Sequence, residues 1–447
     1  MHAEQLIETI RPLVEAGEVP GAVVGVLHGG EVSVAALGTT EPGGGVAMPV
    51  DALVRISSNT KPMVAAATLL LAQEGVLSLD DAVQRFAPEL ADRHVLRQLD
   101  GPLDDTVPAQ RSITIEDLLT MRMGFGFVFE SECPTVDAAA AAGLGFGPPD
   151  PQAAPSPDEW VARLAALPLL EQPGTVWRYE LAFALLGVVL ARASRRPLDV
   201  LLRERLFEPL AMTETAFVAP PGRLIPSFAR TENGLVGFDG VLGSRWATSP
   251  AFPDARGGLV STASDLLRFA RMLLDDGAGL LSPASTSAMI TDQLTSEQRS
   301  GPSAQVFLNG GGWGYGVEVL DGARGRRYGW GGGLGTLWYT WPDHEAAAVL
   351  ITQVLPPSVA LFDGFVASAE ATLGRCVPHG NRSSTTPATV RPKTPSRCPS
   401  TTSRSRSARN GGNGSRSGEP RQRDTSPIAI QAIVRQRDRH SFDLYVQ

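Results

Sequence analysis

The stretch Ile56-Ser57-Ser58-Asn59-Thr60-Lys61-Pro62 contains one of only two lysines in 447 residues, Lys61, three positions after Ser58. The other lysine is Lys393, and arginine supplies the remaining positive side chains. A guanidinium stays protonated, whereas a buried lysine can lose its proton and act as a base. Pro62 suits the first turn of a helix, and residues three apart on a helix share a face. The spacing therefore predicts a serine and an amine side by side, the minimum for nucleophilic catalysis.

The Ser-x-x-Lys spacing by itself has two interpretations. Residues 54–56 are strand-like and small residues follow Lys61, which places Ser58 at the amino terminus of a helix. Free amides there can face the anion that forms during acyl transfer. In the alternative, Ser58 caps the helix and Lys61 is an exposed charge. The motif alone leaves both open.

Two further segments carry candidate chemistry. Tyr179 follows Pro-Gly-Thr-Val-Trp-Arg and precedes a long apolar run. A phenol near a lysine can serve as general base for a serine, or the ring can simply pack at a helix start. Residues 328–336 read Tyr-Gly-Trp-Gly-Gly-Gly-Leu-Gly-Thr. Glycines this dense in a strand indicate close approach of a ligand or of another backbone. A strand amide opposite that of Ser58 would complete an oxyanion hole, and the alternative is a bulged strand.

The predicted elements run as strands, then helices, then strands again. Residues 21–27 and 31–37 flank His28-Gly29-Gly30, whose glycines favour a hairpin turn. Further strands are predicted at 314–320, 326–330, 335–341 and 345–353. Helices are predicted at 63–72, 115–120, 158–167, 181–193, 197–206, 263–274 and 359–373, with a long loop at 133–156. This order predicts an α+β fold, an antiparallel sheet flanked by helices with an inserted all-helical lobe.

The same pattern divides the chain into a large domain and a tail. We expect a domain at 3–374, with sheet parts at about 3–78 and 218–374 and the helical lobe at about 79–217. Residues 375–447 are rich in Ser, Thr, Arg, Pro and Gly and carry a net charge of +10, which leaves −18 for the rest. Such a composition is typical of a disordered tail, with a basic interaction arm or a frame-shifted end as alternatives.

Charge, cysteines and hydropathy exclude several classes of function. A net-acidic body gives no reason to expect binding to nucleic acid or to an anionic membrane. Cys133, Cys376 and Cys398 are too few and too scattered for a disulfide framework or a zinc site, so we expect no metal and no cofactor. The first 20 residues read as an acidic amphipathic helix rather than a signal peptide, and no apolar run spans a membrane. We therefore expect a cytoplasmic protein acting on a small-molecule substrate.

These motifs together resemble one family. Ser58-Asn59-Thr60-Lys61, Tyr179 after Pro-Gly-Thr-x-Trp, and Trp330-Gly331-Gly332 stand in the order found in serine hydrolases related to class C β-lactamases and penicillin-binding D-Ala-D-Ala carboxypeptidases. The chain looks most similar to family VIII carboxylesterases. Stretches 113–120, 207–213 and 257–266 extend the resemblance over residues 3–373. It implies a β-lactamase/transpeptidase-like fold.

Carried over by position, the resemblance implies roles for individual residues. Ser58 would be the acylated nucleophile, with Lys61 and Tyr179 as the proton-handling pair. The amides of Ser58 and Gly333 would be the oxyanion donors, with Trp330, Gly331 and Gly332 forming the substrate-binding strand.

Two departures from the family pattern favour esters over β-lactams. Penicillin-recognising members carry Lys-Thr-Gly or His-Thr-Gly where this chain has Trp330-Gly331-Gly332, so a cation for the substrate carboxylate is missing. Leu181 stands where many relatives have asparagine in Tyr-x-Asn, and leucine offers no hydrogen bond to Lys61. The predicted function is therefore a serine hydrolase that cleaves carboxylic esters through an acyl-serine intermediate.

Three alternatives accompany that prediction. One is a β-lactamase or a D-Ala-D-Ala carboxypeptidase-type amide hydrolase on the same site. Another is a catalytically weak or inactive binding protein on the same scaffold, which Leu181 mildly favours. A Ser-His-Asp enzyme is disfavoured because the chain lacks a Gly-x-Ser-x-Gly elbow.

Overall fold

A computed structural model describes residues 1–130, 132–308, 310–322 and 324–374. Within these ranges the strands are β1 (Gly21–His28), β2 (Glu31–Gly38), β3 (Val54–Arg55), β4 (His94–Leu96), β5 (Thr106–Pro108), β6 (Ser227–Thr231), β7 (Gly234–Asp239), β8 (Val260–Ser261), β9 (Gly312–Trp313), β10 (Glu318–Gly322), β11 (Gly325–Gly332), β12 (Thr336–Trp341), β13 (Ala346–Ile351) and β14 (Val354–Leu355). The α-helices are α1 (Ala3–Glu8), α2 (Arg11–Glu15), α3 (Thr60–Gln73), α4 (Ile115–Leu119), α5 (Pro134–Ala141), α6 (Pro157–Ala165), α7 (Ala182–Ser194), α8 (Leu198–Leu202), α9 (Ala263–Leu274), α10 (Pro283–Met289), α11 (Pro302–Leu308) and α12 (Val359–Leu373).

The largest sheet has seven strands in the order β2-β1-β13-β12-β11-β10-β9, and every neighbouring pair is antiparallel. The predicted β1–β2 hairpin is present, and Gly29 and Gly30 supply the positive φ angles of its turn, 56° and 86°. Strand β13 lies between β1 and β12 and is buried along its whole length. The sheet thus joins an early segment of the chain to a late one.

Both faces of this sheet are covered. Alternate residues of a strand point to opposite faces. Val23 and Leu27 belong to a core that includes α3, α7 and α9. Ala22, Val24 and Val26 belong to a second core with α1 and α12. The predicted fold class, an antiparallel sheet flanked by helices, is confirmed.

The regular secondary structure of the segment 79–217 is mostly helical, with three differences from the predicted elements. A short hairpin, β4–β5, lies within it, because strands of three residues are too short to give a readable alternation. Helix α5 occupies part of the predicted loop at 133–156. Pro134 at its first turn and the alanine run behind it favour a helix. The predicted helix at 197–206 divides into α8 and a π-helical turn, Arg203–Phe207.

Two capped helices coincide with stretches that carry the family resemblance. Thr114 and Asp117 form a capping box at the start of α4, each accepting a hydrogen bond from the other's backbone amide. Thr262 caps α9 by accepting from the amide of Asp265. These side chains fix where the two helices begin.

The strand before Ser58 is anchored in the protein interior. Strand β3 pairs with β8, and the amide of Ile56 donates to the carbonyl of Leu259 at 3.0 Å. Arg55 is fully buried, and its Nε donates to Asp239 Oδ2 at 2.9 Å. A buried, charge-assisted hydrogen bond of this kind holds a side chain in one geometry. The backbone leading to the candidate nucleophile is thereby fixed from both sides.

The first residues form two short helices, α1 and α2, rather than one, with Thr9 and Ile10 between them. None of the helices in the described ranges is long and apolar enough to cross a bilayer. The tail predicted at 375–447 lies outside the described residues.

Candidate active site

Ser58 lies in a single 3₁₀ turn, Ser57–Asn59, which leads directly into α3. The residue before it, Ser57, has a left-handed φ of 47°, a conformation that residues other than glycine rarely adopt. The residue at the cap position of α3 is Asn59, and its side chain makes no capping hydrogen bond. Ser58 therefore does not cap this helix, and its hydroxyl is available to other partners.

Lys61 is fully buried, so the interpretation of an exposed charge is wrong. Its Nζ donates to Ser58 Oγ at 2.9 Å and to the carbonyl oxygen of Arg256 at 2.8 Å. The Glu180 carboxylate lies 3.7 Å away. Burial lowers the pKa of Lys61 to about 8, although Glu180 opposes this shift. An amine with this pKa is neutral in a substantial fraction of molecules at mildly alkaline pH, as a base requires.

Tyr179 contacts the same hydroxyl from the opposite side. Its phenol donates to Ser58 Oγ at 2.7 Å and accepts from Trp330 Nε1 at 2.9 Å. Lys61 Nζ lies 4.5 Å from the centre of its ring. Burial, and then the nearby Glu180 carboxylate, raise the pKa of Tyr179 well above its usual value. The resting site therefore holds a protonated phenol next to an amine that titrates much lower.

The end of β11 packs against the segment that carries Ser58. A Cβ atom on Gly332 would overlap the carbonyl oxygen of Ile56, so only glycine permits this approach. A Cβ atom on Gly333 would meet nothing within 4 Å, so the space beside it is open.

The neighbouring residues of β11 point to different faces of the sheet. The indole of Trp330 reaches Tyr179 rather than an oxyanion position. A Cβ atom on Gly331 would point toward α12, on the face away from Tyr179. The structure thus brings Ser58, Lys61, Tyr179 and Trp330 together and places Gly331 on the other face.

Three charged residues beside Lys61 escaped the sequence analysis: Glu180, Asp254 and Arg256. Arg256 Nη2 and Asp254 Oδ2 are 2.7 Å apart, and Arg256 Nη1 lies 3.8 Å from Glu180 Oε1. Lys61 therefore has a charged environment of two carboxylates and one guanidinium. The sequence signal that could have identified Glu180 was its place between Tyr179 and a buried apolar run. Asp254 and Arg256 adjoin the Gly-Gly-Leu stretch at 257–259 but carried no signal of their own.

Aromatic side chains form a wall beside Tyr179. Its ring centre lies 4.4 Å from that of Phe307 and 6.3 Å from that of Phe127. Phe127 also packs on Phe146, with ring centres 5.2 Å apart, and Phe129 packs on Phe307 at 5.9 Å. Phe127, Phe129 and Phe146 are partly exposed. This side of the site suits an apolar group.

In the part of the chain that the structure describes, no group of three or more His, Cys, Asp or Glu side chains could hold a metal ion.

Comparisons with known proteins identify the family of this chain. The family model named Beta-lactamase matches residues 6–372. Protein Rv1367c of Mycobacterium tuberculosis is 40% identical over 367 residues, covering 78% of this chain and 89% of that protein. Esterase EstB of Burkholderia gladioli is 30% identical over 377 residues, covering 78% and 91%. The solved structure of EstCE1, described as a hydrolase with promiscuous acyltransferase activity, matches in fold with a TM-score of 0.69 at 22% identity, covering 82% and 98%. The predicted resemblance is confirmed: the chain belongs to the beta-lactamase family and is a serine hydrolase of that family.

Proposed function

We propose that this protein cleaves carboxylic esters of small molecules through an acyl-enzyme formed on Ser58. The observation that carries the proposal is the pair of hydrogen bonds at Ser58 Oγ, from the buried amine of Lys61 and from the phenol of Tyr179. Two similar proteins are named as esterases, EstB and the lovastatin esterase of Penicillium rubens, which is 29% identical over 381 residues. Their names support the ester class of substrate.

The contacts define a directional route for the proton of Ser58. Trp330 N–H donates to the Tyr179 oxygen, and Tyr179 O–H donates to Ser58 Oγ. When Lys61 is neutral, the Ser58 hydroxyl can therefore donate its own proton to Nζ, 2.9 Å away. Lys61 is the base for this step, because its pKa lies far below that of Tyr179.

The oxygen of Ser58 then attacks the ester carbonyl while its proton passes to Lys61. The bond to the alkoxide breaks as the intermediate collapses, and the proton returns through Tyr179 to the leaving oxygen. In the second half, the same pair takes a proton from a water molecule as its oxygen attacks the acyl carbonyl. The bond between the acyl carbon and Ser58 Oγ then breaks, the carboxylic acid leaves, and the pair returns the proton to Ser58. The amides of Ser58 and Gly333 would stabilise the oxyanion, a role supported by the open space beside Gly333.

Hydrolysis of β-lactams or of D-Ala-D-Ala amides is the second candidate. Similar proteins include penicillin-binding protein 4 of Amycolatopsis lactamdurans, 27% identical over 311 residues. Trp330-Gly331-Gly332 offers no side-chain cation to a substrate carboxylate, and Arg256 is already paired with Asp254. Both features favour the neutral ester.

Turnover of p-nitrophenyl butyrate and of a chromogenic cephalosporin tests the proposal directly. We expect ester turnover that Ser58→Ala abolishes and that Lys61→Arg lowers by roughly 10²-fold or more, because a guanidinium cannot act as a base. Ester turnover that survives Ser58→Ala would refute the proposal. Cephalosporin turnover faster than ester turnover would favour the second candidate function, hydrolysis of β-lactams or amides. No turnover of either substrate would favour a binding protein.

The cellular location is also a proposal. The few, scattered cysteines support a cytoplasmic protein. Fractionation of producing cells into cytoplasm, membrane and medium would test this.

A further inference from the structure

Lys61 has an unusual set of charged neighbours. Besides the hydroxyl of Ser58 and the ring of Tyr179, its amine faces the Glu180 carboxylate and the pair formed by Asp254 and Arg256. Lys61 is fully buried, and Glu180, Asp254 and Arg256 each expose only about a tenth of their side chains. Charges this well removed from water interact strongly.

Glu180 itself is held in place from two further directions. Its Oε1 accepts a hydrogen bond from the amide of Gly147 at 3.1 Å and lies 3.8 Å from Arg256 Nη1. Arg256 is in turn fixed by Asp254 and donates to the carbonyl of Gly145. The carboxylate therefore cannot turn away from Lys61 without losing these contacts.

Leu181, which is fully buried at the start of α7, has an apolar side chain and cannot be a polar partner for Lys61. The partner comes instead from the preceding residue. We propose that Glu180 is a positioning residue for the reaction at Ser58: its carboxylate, clamped by Arg256 and by the amide of Gly147, holds the Lys61 amine against Ser58 Oγ and sets its charge. This inference rests on the proposed function, since it concerns the base of the same reaction.

Glu180→Gln separates this role from simple packing. Glutamine keeps the size of the side chain and an oxygen for the Gly147 amide, but it removes the negative charge that favours the ammonium form. Deprotonation of Lys61 sets the midpoint of the pH profile of kcat/KM for p-nitrophenyl butyrate. We expect Glu180→Gln to lower that midpoint by about one pH unit. Glu180→Asp should keep that midpoint close to the wild-type value. The matched control is Glu89→Gln, which removes a carboxylate paired with Arg192 and should leave the midpoint unchanged.

A second measurement keeps the inference separate from the ester assignment. The rate at which a p-nitrophenyl alkylphosphonate modifies Ser58, followed by p-nitrophenol release and mass spectrometry, depends on the same base but needs no turnover. If the wild type fails to turn over esters yet Glu180→Gln lowers the midpoint of this rate, the proposed function fails and the role of Glu180 stands. An unchanged midpoint in Glu180→Gln, or no modification of wild-type Ser58 at any pH, overturns the inference.

Discussion

Replacing Trp330 by phenylalanine should slow catalysis by removing the one hydrogen bond that the indole donates to Tyr179. A hydrogen bond to a neutral group contributes about 0.5–1.5 kcal/mol, and one to a charged group about 1.5–3 kcal/mol. The bond to Tyr179 strengthens if the phenol gains negative charge as it passes its proton on. Because the neutral bond is already present in the bound ground state, kcat reports the difference between the two values, about 1–1.5 kcal/mol. We therefore expect kcat to fall by about 5- to 13-fold, with a small change in KM.

The sheet offers a matched control for this variant. Trp338 stands directly across from Trp330 on β12, and its Nε1 donates to Thr340 Oγ1 at 3.0 Å. Trp338→Phe removes a buried indole hydrogen bond of the same kind without touching Tyr179. Kinetics with p-nitrophenyl butyrate, together with the thermal midpoint of each variant, compare the two. A loss of kcat in Trp330→Phe no larger than that in Trp338→Phe would refute the role assigned to this hydrogen bond.

Three further predictions concern stability and substrate choice. Arg55→Leu should lower the free energy of unfolding by about 3 kcal/mol, because the buried Asp239 loses its buried guanidinium partner and keeps only Ser244 and the partly exposed Arg245. Urea titration measures this, and a loss below about 1 kcal/mol would contradict it. Burial raises the pKa of Glu318 from 4.5 to about 7, so wild-type stability should fall as pH rises from about 4.5 to 7, by up to about 3 kcal/mol. Glu318→Gln should remove most of that fall in stability. The same pH dependence of the melting temperature in Glu318→Gln and in the wild type would disprove this prediction. Phe127→Ala should lower kcat/KM for p-nitrophenyl octanoate roughly 10-fold more than for the acetate, through lost apolar contact; equal losses would exclude Phe127 from the acyl site.

Helices and strands with a strong local signal were predictable from the sequence. The boundaries of α9 and α12 coincide with the predicted 263–274 and 359–373. Helix α5 was not predicted, because glycines and prolines after residue 142 obscure its alanine run. The β4–β5 hairpin was missed because its strands are held by pairing with each other and not by a pattern of their own.

The part of the candidate site whose residues lie close together in the sequence was predictable. Ser58 and Lys61 are three residues apart, and the start of a helix brings them together. Tyr179 was found through its motif, although 121 residues separate it from Ser58. Glu180 was overlooked because the sequence pattern directs attention to Leu181, the next residue.

The sequence alone determined the local chemistry of this protein: a serine and a lysine one helical turn apart, a glycine-rich strand, and the order of strands and helices around them. Only the tertiary structure decided that Lys61 is buried beside Glu180, Asp254 and Arg256, and that Trp330 donates to Tyr179. The physical reason is that spacing fixes which side chains share a turn, whereas burial and charge pairing depend on segments far apart in the chain. The pKa of Lys61, and hence its capacity to act as a base, follows from that packing.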